Sequence, residues 1–138
     1  MQDLKEFLLD FCGVKGVDTK IKYKDLDEGC PAEVEINYKY LWIHIIIDLN
    51  QITDIDIFFT SLTHEICHFH TWTGVIIFHS EFRDVINDRM GIPQGNSILR
   101  GLKAEGERAT TILERKFFND FKKTKDYKKY KTLFSKYF

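Results

Sequence analysis

From Thr53 to Trp72 the chain runs without a glycine or a proline, and the run opens on Thr53 with Asp56 three positions later, the spacing of a capping box. A long uninterrupted helix is the expectation for this stretch. Within it stands His64-Glu65-Ile66-Cys67-His68, an H-E-x-x-H motif. At ~100° and ~1.5 Å per residue, the two histidines lie about 40° apart around the axis and ~6 Å apart along it, so both imidazoles can grip one metal ion from one face. Phe58, Leu62, Ile66 and Phe69 fall at roughly 120° to 200° from His64, which turns the apolar face away from the histidines. Zinc is the expected cofactor, because imidazole suits it and a catalytic site takes three protein ligands and leaves one position open. Glu65, about 100° round from His64, is placed to work on water as a general base rather than to hold the ion. His70 points elsewhere and reads as a helix-end residue, and Cys67 as a small buried thiol.

A third ligand must come from another part of the chain. His79 is the first candidate, because Gly74 is expected to break the helix and Val75 to Phe78 to form a link that brings the imidazole back. Glu105 is the second: it shares a helical stripe with Leu102, Ala109, Ile112 and Leu113, and a carboxylate on an apolar stripe needs a partner, either as ligand or as support for one. Glu107 projects to the other side of that helix and reads most simply as solvated.

The rest of the chain supplies a frame for this helix. Leu4, Phe7, Leu8 and Phe11 recur at helical spacing and Gly13 follows at the C-cap position. From Glu33 to Leu49 the residues become β-branched and aromatic, which predicts one or two strands. The odd positions from Leu41 to Leu49 are all apolar and predict a buried face, whereas Tyr40, Trp42, His44, Ile46 and Asp48 make a mixed one, with Tyr40 and His44 as candidate neighbours of a cleft. Further helices are expected over Glu81 to Arg89 and from about Ser97 into the C-terminal tail. This order predicts an α+β domain of 138 residues, a short sheet beside a central metal helix with helices at both ends.

Composition narrows the function classes. The longest nearly apolar run, Leu41 to Leu49, is far short of the ~20 residues that span a bilayer, so no membrane role is expected. The first residues carry Asp3 and Glu6 and read as no secretion signal, and Cys12, Cys30 and Cys67 form no C-x-x-C pair. A cytoplasmic protein with reduced thiols is the expectation. The net charge of -1 is unevenly spread. Residues 115 to 138 hold Arg115 and eight lysines against Asp120 and Asp126. Such a tail, with Tyr127 and Tyr130 interleaved among its lysines, could meet DNA through phosphate contacts and stacking. The simpler expectation is a solvated helix that docks through Phe117, Phe118 and Phe121, and that can be trimmed after residue 121 without loss of metal.

The stretch from Leu62 through the H-E-x-x-H motif to Trp72, then His79-Ser-Glu-Phe82, then Met90-Gly-Ile-Pro93, resembles the SprT-like zinc metallopeptidases. The resemblance covers about residues 40 to 93. It implies a small zincin fold, zinc on His64, His68 and His79, Glu65 as catalytic base, and a protein or peptide substrate. Ser80 stands where that family has glycine, Phe82 comes one residue early, and nothing after Cys67 could build the four-cysteine zinc ribbon with which many members end. A more distant resemblance, to the ImmA/IrrE-like peptidases, implies a glutamate from a later helix as third ligand, a place that Glu105 or Glu107 would fill. A DNA-binding module, or a phage or mobile-element scaffold with a zincin body and no turnover, is the expectation from a different class.

Overall fold

In a computed structural model of the chain the backbone is described for residues 1–138, and the side chains for all but 73–87, 90, 92–96, 98, 99 and 103. The fold is α+β. Helix α1 (Gln2–Phe11) buries Leu4, Leu8 and Leu9 and ends where Gly13, at φ 77°, takes the left-handed conformation that glycine tolerates best. Three strands follow: β1 (Asp18–Tyr23), β2 (Ala32–Asn37) and β3 (Trp42–Ile47). They form one sheet in the order β1-β3-β2, with β3 parallel to β1 and antiparallel to β2. The stretch expected to hold one or two strands holds two, parted by a turn in which the Tyr40 amide donates to Asn37 Oδ1 and Leu41 adopts φ 54°. Strand β1 lies outside the region read as strand. Its alternation of Thr19, Ile21 and Tyr23 with charged residues belongs to an edge strand with one face on the core.

The expected apolar face of β3 is present where the strand is. Ile43, Ile45 and Ile47 are fully buried, whereas Leu41 in the turn and Leu49 in the short 3-10 turn after the strand are exposed. Asp48 anchors the chain between the two ends of the sheet: its carboxylate accepts from the amides of Leu26 and Asn50 and from Gln51 Nε2 at 2.9 to 3.0 Å.

Helix α2 (Ile55–Met90) starts after Asp54, whose Oδ1 accepts from the Asp56 amide. The capping side chain is therefore Asp54 rather than Thr53. The backbone stays helical through Gly74, where a break was expected, because a single glycine costs a helix interior only ~1 kcal/mol. Gly91, at φ 82°, then turns the chain into α3 (Ile92–Lys122), with Pro93 in the first turn, where its missing amide proton has no helical partner to lose. Thr124 caps the last helix, α4 (Lys125–Phe134), by accepting from the Tyr127 amide.

One hydrophobic cluster takes residues from α1, β3, α2, α3 and α4, including Leu4, Leu8, Ile43, Ile45, Phe58, Phe59, Leu62, Ile66, Phe121, Tyr130 and Phe134. The expected docking of the tail through its phenylalanines is present, and it goes further: Phe7 meets Phe121 at 5.6 Å and Tyr130 at 5.8 Å between ring centres. Tyr127 donates through its hydroxyl to Asp56 Oδ1 at 2.7 Å. The tyrosines between the lysines face the core or its margin, and the lysines remain exposed. Among the described residues no helix is long and apolar enough to cross a membrane.

Candidate metal centre

The motif helix and α3 build the site between them. His64 and His68 stand on one face of α2, with ring centres 4.8 Å apart and planes nearly perpendicular. Against them α3 presents Glu107, whose Oε1 lies 3.2 Å from His64 Nε2 and whose Oε2 lies 3.0 Å from His68 Nε2. Each ring is turned so that its other nitrogen has a partner. His68 Nδ1 is 3.2 Å from Thr110 Oγ1, and His64 Nδ1 is 3.7 Å from Glu114 Oε1. Trp72 lies over the His68 ring at 4.1 Å. The Tyr38 hydroxyl donates to the main-chain oxygen of Phe69 at 2.8 Å, tying the turn between β2 and β3 to α2 just past the motif.

Glu65 is buried beside this group, with Oε2 4.0 Å from His68 Nε2. Burial, reinforced by the carboxylates of Glu107, Glu33 and Glu114, pushes its pKa up to about 8. Burial drives His68 the other way, down to about 4, against the pull of Glu107, with His64 adding to the fall. Glu114 is raised by burial and drawn back by His64 and Arg115.

The donor set could hold a metal ion, and two imidazoles with a carboxylate are donors that suit zinc. One atom from each of His64, His68 and Glu107 falls in a group no wider than 4.8 Å. Bonds of ~2.0–2.1 Å at tetrahedral angles place ligand atoms ~3.3 Å apart; the 3.0 and 3.2 Å contacts, each to a different carboxylate oxygen, lie near that spacing, and the 4.8 Å span of the group lies above it. Thr110 occupies the position from which a hydrogen bond orients a histidine whose other nitrogen faces a metal, and Glu114 lies near His64 Nδ1 beyond hydrogen-bond distance.

The other expected residues are distributed as follows. The side chain of His79 lies outside the described residues. Glu105 is 67% exposed and pairs with Arg108 at 2.8 Å, apart from the histidines. The stripe assigned to it is not buried, since Ala109 and Ile112 are exposed. Glu107, read from its helical phase as solvated and named beside Glu105 only through the ImmA/IrrE-like resemblance, is the carboxylate that α3 brings to both histidines. His44 stacks on Trp42 at 4.1 Å, on the face of β3 opposite the core isoleucines, and Tyr40 is exposed in the turn. Cys67 is fully buried, as expected, whereas His70, expected at a helix end, lies inside the continuous α2 and its Nε2 meets the main-chain oxygen of Cys12 at 2.7 Å. Thr71, Thr110 and Glu114 carried no sequence signal of their own. The signal available was phase: stepping back from Phe121 and Phe117 by threes and fours reaches Glu114, Thr110 and Glu107. The chain matches no protein-family model, no curated protein and no solved structure.

Proposed function

We propose that this chain is a zinc-dependent peptidase in which His64, His68 and Glu107 hold the metal and Glu65 moves the proton. The observation that carries the reading is the convergence of two Nε2 atoms on the two oxygens of one carboxylate, at 3.2 and 3.0 Å, beside a buried glutamate in the H-E-x-x-H motif. This arrangement supports the likeness to ImmA/IrrE-like peptidases, with a glutamate from a later helix, over the SprT-like one with His79. An unbroken helix advances ~1.5 Å per residue, so eleven residues separate His79 from His68 by ~16 Å of backbone along α2.

Zinc bound there supplies Lewis acidity to a water molecule and to a substrate carbonyl. Glu65 supplies the proton transfer. Its burial keeps bulk water from competing, it ionises more readily beside a cation, and its carboxylate then takes a proton from water and returns it to the leaving amine. The substrate is an extended peptide segment pairing along β2, whose outer edge has no partner in the sheet, and Glu33 near the start of that strand acts electrostatically on Glu65.

The test is metal content together with cleavage of an unfolded protein. The purified chain is expected to carry about one zinc per molecule, to lose it on replacement of both His64 and His68 by alanine, and to cut in a chelator-sensitive way. Stoichiometric zinc in the double variant would sink the reading.

A further inference from the structure

The hydroxyl of Thr110 is fully buried and touches three polar atoms: the main-chain oxygen of Gly106 at 2.7 Å, Thr71 Oγ1 at 2.6 Å and His68 Nδ1 at 3.2 Å. A hydroxyl has one proton to give and two lone pairs to offer. The Gly106 oxygen can only accept, so it takes the Thr110 proton. Both lone pairs of Thr110 then face donors, the O–H of Thr71 on one side and an N–H of His68 on the other. We propose that Thr110 is a positioning residue that fixes His68 as its Nδ1–H tautomer and so leaves Nε2 bare on the side of Glu107. The use made of that bare nitrogen rests on the zinc reading above, but the tautomer itself does not.

The competing arrangement puts the proton of His68 on Nε2, where the Glu107 carboxylate at 3.0 Å would accept it. That hydrogen bond would be charge-assisted, and it would occupy the atom needed for a metal. To reach it, Thr110 must turn its own proton to Nδ1, giving up the 2.7 Å bond to Gly106 for one at 3.2 Å. Thr71 strengthens the lock, because its hydroxyl holds one of the Thr110 lone pairs from the side of α2. Glu107 is 54% exposed, so water competes for its oxygens, whereas Thr110 is fully buried.

The experiment uses the full chain, labelled with nitrogen-15 and stripped of metal, and reads the two imidazole nitrogen shifts of His68. The wild type and Thr110→Ser are expected to show the Nδ1–H tautomer, and Thr110→Val, which keeps the shape and removes the oxygen, to move toward Nε2–H. Zinc affinity by competition with a chelator is expected to fall ~10- to 100-fold in Thr110→Val and to return to near wild type in Thr110→Ser. An Nε2–H tautomer in the wild type overturns the proposal, and this measurement decides it even if Thr110→Val does not fold. Identical shifts and zinc affinity in Thr110→Val and wild type overturn it as well. A wild type locked as Nδ1–H that takes up no zinc supports the tautomer assignment and overturns the peptidase reading instead.

Discussion

Glu107 reaches both histidines because Phe117, Phe118 and Phe121 set the rotation of α3 on the core, and Gly106 and Thr110 are small enough to let that helix lie close to α2. The aromatic residues fix the phase and the site inherits it. A helical stripe read from Leu102 and Ile112 gave the wrong phase, since Ile112 is 68% exposed. Three single replacements separate the candidates for third ligand. Glu107→Ala should weaken zinc binding by more than the ~10- to 100-fold that loss of an outer partner costs, whereas Glu105→Ala and His79→Ala should leave it near wild type. Chelator competition on the purified variants reads this directly, and unchanged affinity in Glu107→Ala would remove Glu107 from the site. Glu65→Gln separates metal binding from chemistry. The amide keeps size and hydrogen bonding but cannot take a proton, so zinc should stay while cleavage of an unfolded substrate falls by at least ~10²-fold. Equal rates would refute the peptidase assignment. The H-E-x-x-H residues were legible in the sequence because their spacing alone puts them on one helical face. Glu107 entered only beside Glu105, through a resemblance and not through its own pattern, and Thr110 and Glu114 did not enter at all, because their role depends on how a second helix is turned.

At the scale of elements, α1, the paired strands β2 and β3, and the start of α2 follow from local patterns: apolar spacing, a glycine cap, and alternation bounded by Gly29, Pro31 and Asn50. The length of α2 did not, since local signals at Gly74 pointed to a break whereas one glycine costs a helix interior only ~1 kcal/mol and the backbone continues to Met90. Asp48 shows how an element junction is held. The Leu26 amide, then Gln51 and the Asn50 amide, keep its carboxylate below the ordinary range. With the folded pKa lowered, its contribution is complete above the ordinary Asp value of ~3.9 and is lost as pH falls through the lower one. Asp48→Asn should therefore lower the urea midpoint at pH 7, and the gap to wild type should narrow as the pH is taken below ~4. A gap that stays constant down to pH 3 would show that the charge of Asp48 contributes nothing.

At the scale of the whole molecule the basic tail is part of the body. Its lysines advertise a solvated appendage, but Tyr130 and Phe134 are buried and Phe138 meets Phe58 at 5.2 Å between ring centres. The expectation that residues 122 to 138 can be trimmed without loss of metal is replaced by its opposite: their removal should abolish cooperative thermal unfolding and, with it, zinc retention. Phe134→Ala alone should cost ~3–5 kcal/mol, measured by urea unfolding. A trimmed chain that melts cooperatively at the wild-type temperature would return the tail to the solvent. The meeting of Phe7 with Phe121 and Tyr130 also bears on how the chain comes into being on a ribosome. Its first helix emerges with Phe7 and Phe11 uncovered and must wait for more than a hundred further residues before its partners exist, a long and slow closure during which aromatic surface is open to chaperones. The same delay governs the candidate metal centre: His64 and His68 are made well before Glu107, and Glu107 is aligned only once Phe117 and Phe121 have docked. On the peptidase reading proposed above, no cutting site exists until Glu107 has been made and aligned, so the unfolded nascent segments that precede it are spared.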